Sequence, residues 1–419
     1  MQKTFQVKQA DRTRMYPLGV SFEEEGLRIS AVCEGAGEAG IILYDKRHRE
    51  GAWVPFPENC RVGAVCSMLL SGYHDRNCSY LFYRGEEIYQ DPFCKRVENP
   101  GSYGERKPSL PRCQVMSESY DWEKDVNVSI PYEEMILYAL HVRGFTRHRS
   151  SGVKHKGTYA GVTEKIPYMQ ELGINMALLM PSYEFDEIMP ENTAQTMEQA
   201  VLSYKQELPE PGGDDGKKPR LNYWGYQPGL YYVPKSAYAY SKDAVGEFKD
   251  MVKAFHRAGI GVSMQFYFPP EMRTADILDV LKYWVLEYHI DGFHLMSANL
   301  SMDLIAGDPL LAETMLLTGE WNARRGGDGK RNVGWLSDGF LYDMRRFIKG
   351  DDNMINQFLF HVRENKDEIG IVNSIARWDG FRLVDLVSYE RKHNEENGED
   401  NKDGMDYNCS WNCGVEGKS

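Results

Sequence analysis

Apolar residues repeat at two different periods along this chain, and the period changes near residue 115. Before that point the repeat is short. Leu27–Val32 alternates apolar and polar residues, as a half-buried strand does. Strand-like runs follow at Gly40–Tyr44, Ala64–Leu70 and Ser79–Tyr83, broken by Gly, Pro and Asn. Short strands at that spacing predict a β-sandwich over residues 1–115. Residues 116–134, with Trp122 and Pro131, read as a linker. From 135 to 419 the pattern becomes helix followed by strand. Ile136–Val142 and Ile174–Pro181 are apolar runs of strand length. Between them the spacing predicts one amphipathic helix over Val162–Leu172, ended by Gly173. Phe248, Met251, Val252 and Phe255 fall at i, i+3, i+4 and i+7, one helical face. Gly259 closes that helix, and Gly261–Phe268 reads as the next strand. Ile277, Leu278, Leu281, Trp284 and Val285 mark another helix, and the strand Ile290–Met296 follows it. The alternation recurs at Thr314–Gly319 and Ile369–Ala376. Such units predict an α/β fold with a parallel sheet and outer helices. A (β/α)8 TIM-type barrel and a doubly wound sheet give the same pattern. Residues 187–220, rich in Pro, Gly and charge, read as a polar surface insertion.

Composition narrows the partners more than the fold. Forty-nine basic and 62 acidic residues leave a net charge of −13, which argues against nucleic acid as a partner. Aromatics at 12 %, including 26 Tyr, suit sugar stacking and core packing alike. Eight Cys are scattered without a C-x-x-C pair, so no metal or cofactor is expected, and Cys409 and Cys413 read as free thiols. Met1–Arg14 lacks the apolar run of a signal peptide. No apolar stretch reaches the roughly 18 residues of a membrane span. A cytoplasmic protein with reduced thiols, bound neither to membrane nor to nucleic acid, is the expectation.

Several longer motifs carry a resemblance. They are Tyr138–Thr146 (YALHVRGFT), Pro181–Asp186 (PSYEFD), Asn222–Pro228 (NYWGYQP), Asp291–Met296 (DGFHLM) and Asp379–Tyr389 (DGFRLVDLVSY). Lys392–Glu399 (KHNEENGE) and Ser410–Gly417 (SWNCGVEG) complete the series. In this order the chain resembles the alpha-amylase superfamily, glycoside hydrolase family 13, of the glycogen debranching, isoamylase and pullulanase type. The resemblance chooses the barrel over the doubly wound sheet. Tyr16–Gly19 (YPLG) and Tyr89–Phe93 (YQDPF) likewise resemble the N-terminal carbohydrate-binding module of such enzymes, where Trp53 would be a candidate sugar platform. It also implies a further helix, an eighth strand and its helix after the last motif. The barrel is therefore expected to be incomplete, with a gap between its first and seventh strands. Two explanations compete: a fragment of a longer polypeptide, or, since Glu390–Asp406 is too polar to fill that gap, an open seam at which poor stability, self-association or a protein partner is expected.

The family's chemistry requires a nucleophilic carboxylate and an acid carboxylate across the scissile bond. The fourth-strand motif, D-G-F-R-F-D, ends in the nucleophile, and that position is Met296 here. His294 stands for the Arg of the motif and cannot supply its permanent charge. The third-strand motif D-x-x-x-N-H becomes Gln265, Pro269 and Pro270. At the fifth strand Gly319 takes the acid position, with Glu320 one residue late and expected to face away from the cleft. The seventh-strand H-D is Trp378-Asp379, so the carboxylate that stabilises the transition state survives. Trp224 and Tyr226 match the sugar-stacking loop. The resemblance thus implies a glucan-binding scaffold, with Trp224, Tyr226, Gln265, His294, Trp378 and Asp379 as its lining, that has lost its catalytic pair. A pseudoenzyme binding α-glucan or a partner enzyme is the first expectation. A weak hydrolase of α-1,6 bonds, using Glu320 with Asp379, is the second.

Overall fold

The computed structural model describes residues 5–417 except 10–11, 35–36, 47, 99–100, 106–109, 117–118, 189–220, 298–299, 320–331, 365–368 and 398–399. Two antiparallel sheets occupy the N-terminal part. One pairs Gln6–Gln9, Val65–Ser71, Gly26–Val32 and Gly19–Glu23 in that order; the other is built on Ala39–Tyr44, Ala52–Pro55 and Ser79–Arg84. Leu27, Ile29, Met68 and Leu70 of the first sheet share one core with Ile41, Leu43, Val54 and Phe82 of the second. Both faces of Gly26–Val32 are covered, which corrects the half-buried reading of Leu27–Val32. Arg28 and Ser30 are buried because the guanidinium donates to the Pro17 carbonyl and to the Ser21 and Ser30 hydroxyls, while Ser30 and Ser67 hydrogen-bond at 2.7 Å. Trp53 stays about half exposed against Tyr83, ring centroids 4.6 Å apart.

Seven parallel strands follow in chain order: β1 (Leu137–Leu140), β2 (Met176–Leu179), β3 (Gly261–Tyr267), β4 (Gly292–Met296), β5 (Met315–Thr318), β6 (Val333–Leu336) and β7 (Gly370–Val372). Each pairs with the next, and β1 and β7 are the two edges. Among the described residues no strand follows β7. Outside the sheet lie helices α1 (Ala244–Arg257), α2 (Thr274–Tyr288), α3 (Asp338–Lys349) and α4 (Ile355–Arg363). The expected face of α1, Phe248, Met251, Val252 and Phe255, is buried to within 1 % and packs with Trp284 of α2 on the outward residues of β2–β4. The single helix expected over Val162–Leu172 is instead two, Tyr159–Thr163 and Ile166–Glu171. Pro167 opens the second, and it has no N–H to continue the hydrogen-bond ladder of the first. Gly173 then ends that helix in the left-handed region, φ +74°, as the sequence predicts.

On the inward side the sheet is curled enough for its two edges to share one small cluster. Met176, Met315 and Leu317 pack with Leu137 of β1, Val372 of β7 and the ring of Tyr132. Tyr132 lies across Gly334 and Gly370, where any Cβ would strike its ring, and its hydroxyl donates to the Asn332 carbonyl at 3.0 Å. A parallel curled sheet of this kind, behind two antiparallel sheets, fits a partial TIM barrel. The polar insertion expected from residue 187 begins with a buried side chain: Glu187 shares the fully buried Lys235 ammonium with Glu184, each at 2.6 Å. Residues 189–220 of that insertion lie outside the described residues.

Candidate active-site remnant

Adjacent strands bring the polar positions together. β3 and β4 run in parallel register with Gln265 opposite His294 and Tyr267 opposite Met296. β4 and β5 pair His294 with Leu317 and Leu295 with Thr318. Gly319, one residue past β5, is therefore level with Met296, and the two expected catalytic positions adjoin at the C-terminal ends of the strands. Gly319 is exposed, and a Cβ built there would meet nothing within 4 Å. Glu320, the displaced acid candidate, lies outside the described residues.

Below Met296 the cluster is buried and uncharged. The Tyr226 hydroxyl donates to Gln265 Oε1 at 2.7 Å, and Gln265 Nε2 donates to His294 Nδ1 at 3.1 Å. An acceptor Nδ1 makes His294 the neutral tautomer protonated at Nε2. Burial, helped by the nearby Arg377 charge, pushes its pKa down to about 3. Burial also raises the Tyr226 phenol, and the Asp379 carboxylate adds to this. The loop carrying Tyr226 is fixed from below, since Tyr183 donates its hydroxyl to the carbonyls of Gly225 and Gln227 at 3.1 and 2.8 Å. Gly225 is required where it stands: φ is +79° and the Phe185 ring occupies the space of a side chain.

The segment after β7 closes the far wall. Trp378 meets His294 edge-on at 6.0 Å, and its buried indole N–H lies beside the Tyr226 hydroxyl. Asp379 does not stand free. Arg377 binds it at 2.9 Å, binds Asp338 at the start of α3 with its other arm, and leaves its own buried Nε without an acceptor. Tyr226, Gln265, His294 and Trp378 thus converge, with Asp379 beside them on Arg377. Trp224 sits apart, half-buried, edge-on to Tyr223 at 5.1 Å and to His141 at 6.1 Å. Pro269 and Pro270 follow β3 directly, and the Phe268 N–H just before them donates to the Met296 carbonyl at 2.9 Å.

Three contributors escaped the sequence reading. Arg377 adjoins a motif position, yet nothing in the sequence says that it turns back onto Asp379. Asp338 could be found only as the acidic residue two past a strand. His141 lay inside a quoted motif without a role. In the structure it caps the start of the helix Val142–Arg147 just after β1, accepting the Gly144 N–H at Nδ1 (3.0 Å) and donating from Nε2 to the Tyr223 carbonyl (2.7 Å), and burial lowers its pKa to about 4.

Two neutral imidazoles set an acid limb on stability. Unfolded histidines take up protons below about pH 6.5; native His141 and His294 do not until about 4 and about 3. Stability is therefore held above pH 6.5 and lost as pH falls, by at most about 1.4 kcal/mol per pH unit for each imidazole. Urea unfolding between about pH 6.5 and 5 should show stability falling less steeply with acid in His294→Gln than in the wild type, by up to about 1.4 kcal/mol per pH unit. Equal slopes would mean that His294 is already protonated in the native state.

No family model matches the chain. Isoamylase 1 of Arabidopsis thaliana is 28 % identical over 525 residues, covering 96 % of this chain and 64 % of the relative. The Haemophilus influenzae glycogen operon protein GlgX homolog is 30 % identical over 427 residues, covering 81 % and 61 %. The chain thus spans a little under two thirds of the curated relatives it matches. Among solved structures, the pullulanase SAP of group B Streptococcus superposes with TM-score 0.64 at 18 % identity, over 87 % of this chain and 57 % of that one. The Paenibacillus barengoltzii pullulanase complexed with maltohexaose and alpha-cyclodextrin superposes with TM-score 0.63 at 18 % identity, over 88 % and 67 %. The sequence relatives of this chain are thus the isoamylase and GlgX debranching enzymes of the alpha-amylase superfamily, and the solved pullulanases share its fold.

Proposed function

We propose that this chain is a non-hydrolysing, α-glucan-binding relative of the debranching enzymes, acting in carbohydrate metabolism. The observation that carries the reading is the level pair of Met296 and an exposed Gly319 at the ends of β4 and β5. Neither residue can attack an anomeric carbon or protonate a leaving oxygen. A general acid alone contributes on the order of 10²–10⁴-fold, and the nucleophile's loss adds to its loss. The carboxylates that remain beside the cluster, Asp379 and Asp338, are both engaged by Arg377. What is left suits a sugar: the half-buried ring of Trp378 beside the hydrogen-bonded, uncharged Tyr226–Gln265–His294 wall. Two solved neighbours, Paenibacillus barengoltzii pullulanases complexed with maltohexaose and alpha-cyclodextrin and with maltotetraose, support α-glucan as the ligand class.

A second reading keeps weak hydrolysis of α-1,6 bonds through Glu320 with Asp379. It is favoured by the relatives, which are named as isoamylases, and by the survival of Asp379 in the segment after β7. The same proposal reads the sheet as an incomplete (β/α)8 barrel over 135–419, preceded by a sandwich over 1–115 and a linker over 116–134. Its β1 and β7 edges would then be sites of self-association or of a protein partner.

Isothermal titration with maltohexaose should show weak binding, with Kd well above micromolar. Trp378→Ala should weaken it about twofold to tenfold, the effect of one lost aromatic contact. Sub-micromolar binding, or binding indifferent to Trp378→Ala, would count against this site. Sedimentation equilibrium should show a mass that rises with concentration. A cooperatively unfolding monomer at every concentration would remove the open-edge reading.

A further inference from the structure

The segment joining the two parts of the molecule is fastened to the sheet by a buried network of alternating charge. His256, near the end of α1, places Nδ1 3.0 Å from Asp125 and Nε2 2.9 Å from Asp291, with all three side chains at most 3 % exposed. His289, just past α2 with φ +53°, puts its Nδ1 2.6 Å from the same Asp125 oxygen, and its ring stacks on Trp122 at 3.8 Å. Asp291 also accepts the backbone N–H groups of Val128 (2.8 Å) and Val262 (2.7 Å). One carboxylate thus belongs to the joining segment and the other to the start of β4.

A neutral imidazole has one N–H, whereas His256 faces a carboxylate from each ring nitrogen. The geometry therefore calls for the imidazolium, which donates both ways. Burial alone would lower the His256 pKa, but the hydrogen bond and charge of Asp291, joined by Asp125, outweigh it and hold the group above its ordinary value. The other charged groups around it are accounted for. From α1, Asp250 accepts from Tyr120, and Lys253 and Arg257 pair with Glu123. From α2, Glu287 pairs with Lys249. The exposed Asp121 and Lys124 complete the set.

We propose that His256, between Asp125 and Asp291, is a proton-dependent clasp that holds residues 120–134 as a strap across the N-terminal ends of the strands. The strap walls a cavity of about 290 Å³ with Ile130, Tyr132 and Glu133, facing Met176, Met315 and Asn332. When His256 loses its proton, one ring nitrogen turns a lone pair toward a carboxylate. Asp291 stays fixed by two backbone donors, whereas Asp125 keeps only the contact of the partly exposed His289, so the Asp125 side gives way, and the strap loosens to open that end of the sheet. The sign follows from the raised value: docking is complete at and below the ordinary imidazole range and is lost as pH rises through the native pKa of His256.

Hydrogen–deuterium exchange of the full chain from about pH 6 to about pH 9.5, corrected for the intrinsic base-catalysed rate, reads the strap directly. Opening of peptides within 119–134 should rise about tenfold per pH unit once His256 deprotonates, while peptides of β3 and α1 stay flat. Asp125→Asn should leave the strap open throughout and abolish the rise. Nitrogen-15 NMR of the unaltered chain gives a second reading that needs no variant: both His256 ring nitrogens should carry protons near pH 6. Flat strap exchange over the whole range, a rise that persists in Asp125→Asn, or a His256 ring with one N–H at that pH would each overturn the proposal.

Discussion

The register between β3 and β4 sets Gln265 against His294, and the 3.1 Å hydrogen bond joining them is the constraint on which the rest of the site depends. It fixes the tautomer of His294, orients the Gln265 amide to receive Tyr226, and gives Trp378 an uncharged ring to lean on. The family resemblance implies Asp and Arg at these two positions. Here both charges are gone together. A buried charge left without its partner costs about 3–5 kcal/mol, whereas a neutral hydrogen-bonded pair of similar shape is tolerated. The neutral Gln265–His294 pair is therefore compatible with its burial. At the strand ends the same resemblance implies two carboxylates, where this chain has Met296 and Gly319.

The opposite end of the sheet obeys a different constraint. Seven parallel strands curl until Leu137 and Val372 share a cluster, and Tyr132 fills the hollow between them. Glycines at 334 and 370 make room for that ring. Because Tyr132 belongs to the strap, the packing of the sheet's interior is tied to the His256–Asp125–Asp291 network. The two ends thus contain histidines of opposite character: His294 is neutral because nothing anionic faces it, and His256 is cationic because two carboxylates do.

Much of the architecture was legible in the sequence because it rests on periodicity. The α1 face, the Gly173 stop and the positions of β1 to β5 follow from patterns of 3.6 and 2. The long motifs supplied the choice of a barrel-type sheet. Other features left no periodic trace. The break before Ile166 depends on one proline inside an otherwise amphipathic run, and the burial of Arg28 and Ser30 depends on a neighbouring sheet. The engagement of Asp379 by Arg377 is tertiary, and so is the role of Asp338, since no local pattern says which carboxylate a flexible guanidinium will choose. The strap was read as a linker because its contacts lie more than a hundred residues away, on α1 and the start of β4.

The claim that most needs a direct test is the loss of hydrolysis. Reducing-end release from pullulan and glycogen, followed over long incubation with the intact chain, measures it. The account predicts no release above the protein-free control. It also predicts little from Met296→Asp with Gly319→Glu, because Gln265, His294, Pro269, Pro270 and Trp378 leave the sugar position differently lined, and such sites tolerate only about 0.5 Å of error. Steady release by the unaltered chain, abolished by Glu320→Gln or Asp379→Asn, would contradict it and establish a displaced catalytic pair.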